Sequence, residues 1–173
     1  MLLSSITAVA ALLAAIVAVL GILLQRQVAT AQVKPLLNIE ELTSLEEPKK
    51  CAALYLVNDG SGTAVITSAS FHRGSRSGLS LKDVLDLEDK ELLLIEGHEF
   101  GKQMNYLRPK HKIALLSISY LGSNLDARKQ FDEIGREIRQ TKIVAIFKDI
   151  FGRKQPTLDR PFDNIAKLED SEI

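Results

Sequence analysis

The first twenty-four residues, MLLSSITAVAALLAAIVAVLGILL, carry no charged side chain, and Ser4, Ser5 and Thr7 are their only polar groups. At about 1.5 Å per residue this stretch makes roughly 36 Å of helix, enough to cross a hydrocarbon core of about 30 Å. Residues 1–24 are therefore expected to form a transmembrane helix. A secretory signal peptide is the competing reading, with Ala29-Thr30-Ala31 as a small-residue cleavage site before Gln32. Against it, no Lys or Arg precedes the apolar run, the run is longer than a signal core, and Arg26 sits just ahead of the cut.

Arg26 and Lys34, with Lys49 and Lys50 further on, all follow the apolar run. The positive-inside rule then puts the following domain in the cytoplasm, with a periplasmic or extracellular domain as the alternative. Within the helix, Ser4, Thr7, Ala11, Ala14, Ala18 and Gly21 recur three and four apart, a stripe through which two spans can pack closely. Lipid is the expected partner of the helix; the stripe reads first as the ordinary alanine richness of a bacterial-type span, with self-association of two copies as the alternative.

The rest of the chain has room for one core. Its 22 basic and 22 acidic residues balance, no basic run appears, and no nucleic-acid partner is expected. The single cysteine, Cys51, excludes an intrachain disulfide and fits a reducing compartment.

Residues 25–35 are expected to prolong the helix as a linker until Pro35 ends it. Residues 36–155 read as a small sheet domain and 156–173 as a loosely held tail. Strands are predicted at 36–40, 52–57, 63–71, 92–95, 112–120 and 142–147 from apolar and β-branched runs bounded by turn residues. Over 63–71 strict alternation sets Ala64, Ile66, Ser68 and Ser70 against Val65, Thr67, Ala69 and Phe71. Glu40-Glu41 and Glu46-Glu47 read as solvated loop charges, and His72 to Gly78 as a polar loop. Ser80 reads as the cap of a short helix over 80–87. Asn124 caps a longer one to Gln140 whose apolar face holds Leu125, Phe131, Ile134 and Ile138.

Asn58-Asp59-Gly60-Ser61-Gly62 is the stretch most like a site. A phosphate loop would need a Lys-Ser/Thr pair and a helix after the glycines, whereas Thr63-Ala64-Val65-Ile66 is strand-like. A turn is expected, its glycines supplying positive φ. The same residues carry a resemblance. Gln32-Val33-Lys34-Pro35, Asn58 to Ile66, and Phe147-Lys148-Asp149-Ile150-Phe151-Gly152 are similar to three motifs of uncharacterised bacterial membrane-anchored proteins. Thr63 departs from their usual proline, and the 125–140 helix resembles an insertion between late strands. The resemblance implies a mainly β fold in which one N-terminal transmembrane helix precedes an immunoglobulin-like β-sandwich with one or two added helices. It transfers no activity and no catalytic residue.

No catalytic, cofactor-binding or metal-binding residue is assigned, and no cofactor is expected. His72, His98 and His111 lie in separate stretches without metal-ligand spacing. Ser61 lacks the Gly-X-Ser-X-Gly elbow. Cys51 reads as structural, and Asp149 as a turn residue. The expected function is a single-pass membrane protein that presents a protein-interaction or structural domain. The alternative is a membrane-anchored hydrolase or metal-dependent enzyme built around His98, Glu99 and Asp149.

Overall fold

The computed structural model describes residues 2–44, 49–100, 105–121 and 124–162. The chain divides into two compact units, 1–34 and 35–173.

The first unit is helix α1, Leu2–Gln32. Its segment Ala10–Thr30 is long and apolar enough to cross a membrane, and none of it is buried in the protein. A signal sequence near the N-terminus satisfies the same test of length and composition. Pro35, which cannot continue a helix, follows shortly after α1 ends.

The second unit is mainly β. One antiparallel sheet takes the order β1 (Leu37–Ser44), β2 (Lys49–Asn58), β7 (Lys112–Leu121), β5 (Leu94–Gly97). The other runs β4 (Arg76–Gly78), β3 (Ala64–Arg73), β8 (Lys142–Lys148), β9 (Leu158–Pro161), with β6 (Asn105–Leu107) also on β3. Helix α2, Leu125–Arg139, links β7 to β8 across the two sheets. One apolar cluster draws Leu54, Leu56, Leu116 and Ile118 from the first sheet, Ile66, Phe71, Ile143 and Phe147 from the second, and Phe131 and Ile134 from α2.

α2 forms where the period changes to helical. Asn124 caps it by accepting from the backbone N–H groups of Asp126 and Ala127. Its buried stripe is Ala127, Phe131, Ile134 and Ile138, at steps of four, three and four. Leu125, expected on that face, is exposed, because six residues before Phe131 is off the stripe at 3.6 per turn. Glu137 straps the helix down: its Oε2 accepts from Arg73 Nη1 at 2.7 Å and from the backbone N–H of Asp86 at 2.8 Å.

Four local expectations are corrected. A bulge in β3 between Ile66 and Ser68 breaks strict alternation, so Ala64, Ile66, Ala69 and Phe71 share the buried face. His72 to Gly78 is a hairpin, β3 turning into β4 through Gly74 at φ 57. The predicted 80–87 helix shrinks to one 3-10 turn, Leu81–Asp83, with Ser80 and Asp83 forming a reciprocal capping box. Glu40 and Glu41 lie within β1 and not in a loop, while Glu46-Glu47 falls outside the described residues.

The expected tail is also partly ordered. Leu158–Pro161 pairs with β8, and Phe162 is buried with its N–H donating to the Thr141 carbonyl. Pro161 is tolerated because β9 ends the order of its sheet, where a missing donor is harmless. Residues 163–173 lie outside the described set.

Candidate functional site

The turn after β2 is organised by one amide and not by glycine freedom. Asn58 is fully buried. Its Nδ2 donates to the carbonyls of Gly62 at 2.7 Å and Leu107 at 2.9 Å, and its Oδ1 accepts from the N–H groups of Leu36 and Gly60, each at 3.1 Å. Its backbone N–H and carbonyl engage His111 and Lys110. Every hydrogen-bonding atom of the side chain is therefore satisfied. Among the described residues, positive φ occurs at Gly74, Gly152 and Lys110, so the expected positive φ at Gly60 and Gly62 is overturned. The two glycines instead serve through their backbones, one as donor and one as acceptor to Asn58.

Because β1 starts, β2 ends, β3 starts and β7 starts at this turn, and because Val65 pairs with Lys148, the end of β8 lies here too. At that end stands a second built turn. Asp149 is 1% exposed. Its Oδ1 accepts from the N–H groups of Phe151 and Arg153, each at 2.9 Å, and its Oδ2 takes Arg153 Nε at 2.7 Å. Burial alone would push its carboxyl upward, but the hydrogen bonds from Arg153 and Phe151 and the Arg153 charge more than offset it, holding the group below its usual range. Gly152, at φ 79, lets the chain turn back. What this frame presents is apolar: Ile150 is 53% and Phe151 59% exposed. The Arg153 guanidinium sits 5.5 Å from the centre of the Phe151 ring.

A third feature lies on the first sheet. Alternation along the paired strands sets Leu42, Cys51, Ala53, Leu94, Ser117 and Ser119 on the face opposite the core. Leu42 and Leu94, 50% and 60% exposed, stand on the edge strands β1 and β5. Between them lie small side chains, Ala53 and Ser119 buried and Cys51 and Ser117 half-buried, and the exposed Glu96 stands beside Ser117 on the same face.

The histidines are not gathered. His72 lies on β3, its Nε2 2.9 Å from Ser70 Oγ. The polar, glycine-rich composition after Phe71 reads as a loop and hides this pair; the period of two in a strand would put residues 70 and 72 on one face. His98 follows β5, sits edge-on to Phe100 at 4.8 Å, and has an Nε2 buried without a partner. His111 Nδ1 is 3.0 Å from the Pro109 carbonyl in the turn before β7. No hydrogen bond or ion pair joins His98, Glu99 and Asp149 among the described residues. No group of three His, Cys, Asp or Glu side chains that could hold a metal occurs among them either. Cys51 is a free, half-buried thiol.

A cavity of about 30 Å3 lies between α2 and the inner face of β2 and β7, lined by Ala52, Leu54, Ile118, Phe131 and Ile138 among others. That volume holds about one or two waters, not a substrate. Set against known proteins, the chain matches no family model, and no curated protein matches it.

Proposed function

We propose that the chain is a single-pass membrane protein in which α1 is the anchor and the β domain is an immunoglobulin-like sandwich that binds another protein. The sandwich reading is supported by two antiparallel sheets that share one apolar cluster. The membrane reading is supported by the length and apolarity of Ala10–Thr30, and the cytoplasmic side by Arg26 and Lys34, which follow the uncharged run.

The observation that carries the interaction reading is the outer face of the first sheet. Leu42 and Leu94 stand on the two edge strands, three interstrand steps of about 14 Å apart and two residues out of register, so that Leu42 lies in one row with Ala53, Ser117 and Glu96, and Leu94 in the next with Ser119, Cys51 and Ser44. The separation of the two leucines is comparable with the diameter of one helix, about 10 Å across with its side chains. The partner is accordingly a protein that lays the apolar face of a helix between the two leucines.

Leu42→Glu with Leu94→Glu is the test. Both positions are exposed, so the variant should melt within about 1 kcal/mol of the parent. In detergent-solubilised membranes a protein that co-purifies with the parent should be lost from the variant. An identical set of co-purifying proteins from both would refute the outer face of the first sheet as the binding surface.

A further inference from the structure

We propose that the Ile150-Phe151 turn inserts into the surface of the bilayer that holds α1, so that the β domain is tied to the membrane at two points. The proposal rests on the anchor reading of α1.

Three independent observations lead to it. The first is construction: a buried carboxylate with three hydrogen bonds and a glycine at φ 79 fix a turn whose outermost side chains are two adjacent large apolar ones. Exposing Ile and Phe on a rigid frame is unfavourable in water and favourable at a boundary where water gives way to acyl chain. The second is charge. Lys148 and Lys154 face each other across the base of the turn as a bridged pair, and Arg108 and Lys110 lie on the neighbouring turn before β7. The acidic groups at this end include Asp59, Asp149 and Glu40; Arg153 neutralises Asp149 within the turn, and Lys112 pairs with Glu40 at 3.6 Å. Apolar tip and cationic collar together match an anionic headgroup layer.

The third is reach. Pro35 follows Thr30, the end of the apolar segment, by five residues, which extend to at most about 17 Å. Leu36, the next residue, is bonded to Asn58 and Asp59, at the same end of the sheets as Lys148. The end of the domain that carries the turn is therefore the end at which the chain enters it from α1. A protein partner would profit from the same apolar pair, but it would not require the turn to lie at the tethered end.

The chain contains no tryptophan, so single indole reporters are clean. Phe151→Trp, Leu121→Trp at the opposite end of β7, and Leu13→Trp within α1 are each placed in the full chain. Each is reconstituted in vesicles of phosphatidylcholine with phosphatidylglycerol, with acyl chains brominated at a shallow or a deep position. Expected is strong quenching of the Phe151→Trp reporter by the shallow label, none of the Leu121→Trp reporter, and deep quenching of the Leu13→Trp reporter. Lys148→Glu plus Lys154→Glu should reduce the quenching seen in the Phe151→Trp chain. If the Phe151→Trp indole is open to acrylamide and blind to both lipids while the Leu13→Trp indole is still quenched, the insertion is overturned and the anchor stands. Blue-shifted emission from Phe151→Trp without lipid quenching means contact between protein copies and also overturns the insertion. Loss of lipid quenching in Leu13→Trp overturns the anchor itself, and the insertion with it. Ile150→Trp repeats the measurement beside the first site.

Discussion

Asn58 and Leu107, forty-nine positions apart, are joined by a 2.9 Å hydrogen bond from the Asn58 amide to the Leu107 carbonyl. With its bonds to Leu36, Gly60 and Gly62, that one side chain closes three connections at the end of the domain where the chain comes in. Asn58→Ala strips two acceptors and two donors of their partner inside the protein. At about 1–3 kcal/mol for each buried group left unsatisfied, and with water recovering some of them, the expected loss is about 3–5 kcal/mol. Asn58→Asp should be comparably harmful, since it sets a carboxylate against the Gly62 and Leu107 carbonyls. Urea unfolding of the detergent-solubilised chain reads both variants, and a midpoint within error of the parent for either would mean that the hub does not hold the turn.

How far the sequence foretells this depends on the range of the determining contact. α2, its Asn124 cap and strand β7 are legible because their causes lie within four residues along the chain. The glycine-rich stretch reads correctly as a turn, but for the wrong reason. Its geometry is set by Asn58 reaching Leu36 and Leu107, which no local pattern encodes. The β3 bulge is invisible in the sequence because one extra residue shifts the faces while leaving the composition unchanged. β9 is lost among two prolines, since its strand character comes from pairing with β8 and from the burial of Phe162. For the candidate surfaces, the residues around Asp149 read as turn chemistry. That Ile150 and Phe151 point outward depends on the fold.

Gly78 is required for a reason of space. A Cβ there would overlap Asp83 Cβ and come within 2.6 Å of its Oδ2, the atom that accepts from the Ser80 N–H at 2.8 Å. Asp83 cannot swing clear, because the clash reaches its Cβ, next to the backbone. Gly78→Ala should therefore break the capping box and displace the buried Leu81 and Val84 beside it, at a cost of about 2–3 kcal/mol. Thermal melting beside Gly74→Ala gives the contrast: Gly74 has open space around it and a strained φ, so its variant should lose only about 1 kcal/mol.

Asp149 gives the domain an acid limb. Its carboxyl is held below the ordinary range in the folded state, so folding is favoured by the ionised form. That contribution is complete above the unfolded value of about 3.9 and declines as pH falls through the lower folded value. Asp149→Asn keeps an oxygen to accept from the Phe151 and Arg153 N–H groups but loses the ion pair. The parent should exceed this variant by about 1–3 kcal/mol at neutral pH, and the gap should close from about pH 4 downward. Chemical denaturation at a series of pH values distinguishes the outcomes, and a gap that stays constant into acid would show that the carboxylate charge is irrelevant to the turn.

Gly135 offers the opposite kind of test, a change that should strengthen the protein. It lies in the middle of α2, three residues before the buried Ile138, and borders the cavity under the helix. Glycine in a helix interior is about 1 kcal/mol less favourable than alanine, because more backbone freedom is lost on ordering it. A single methyl also has somewhere to go, since the cavity holds about 30 Å3 beside it. Gly135→Ala should thus stabilise the domain by about 1 kcal/mol, raising its melting temperature by about 3–5 °C at this size. Binding at the outer face of the first sheet should not change, because α2 packs on the inner one. If the variant instead melts below the parent, close approach of α2 to β2 must need the bare glycine, and the cavity would then be a consequence of that approach and not spare room.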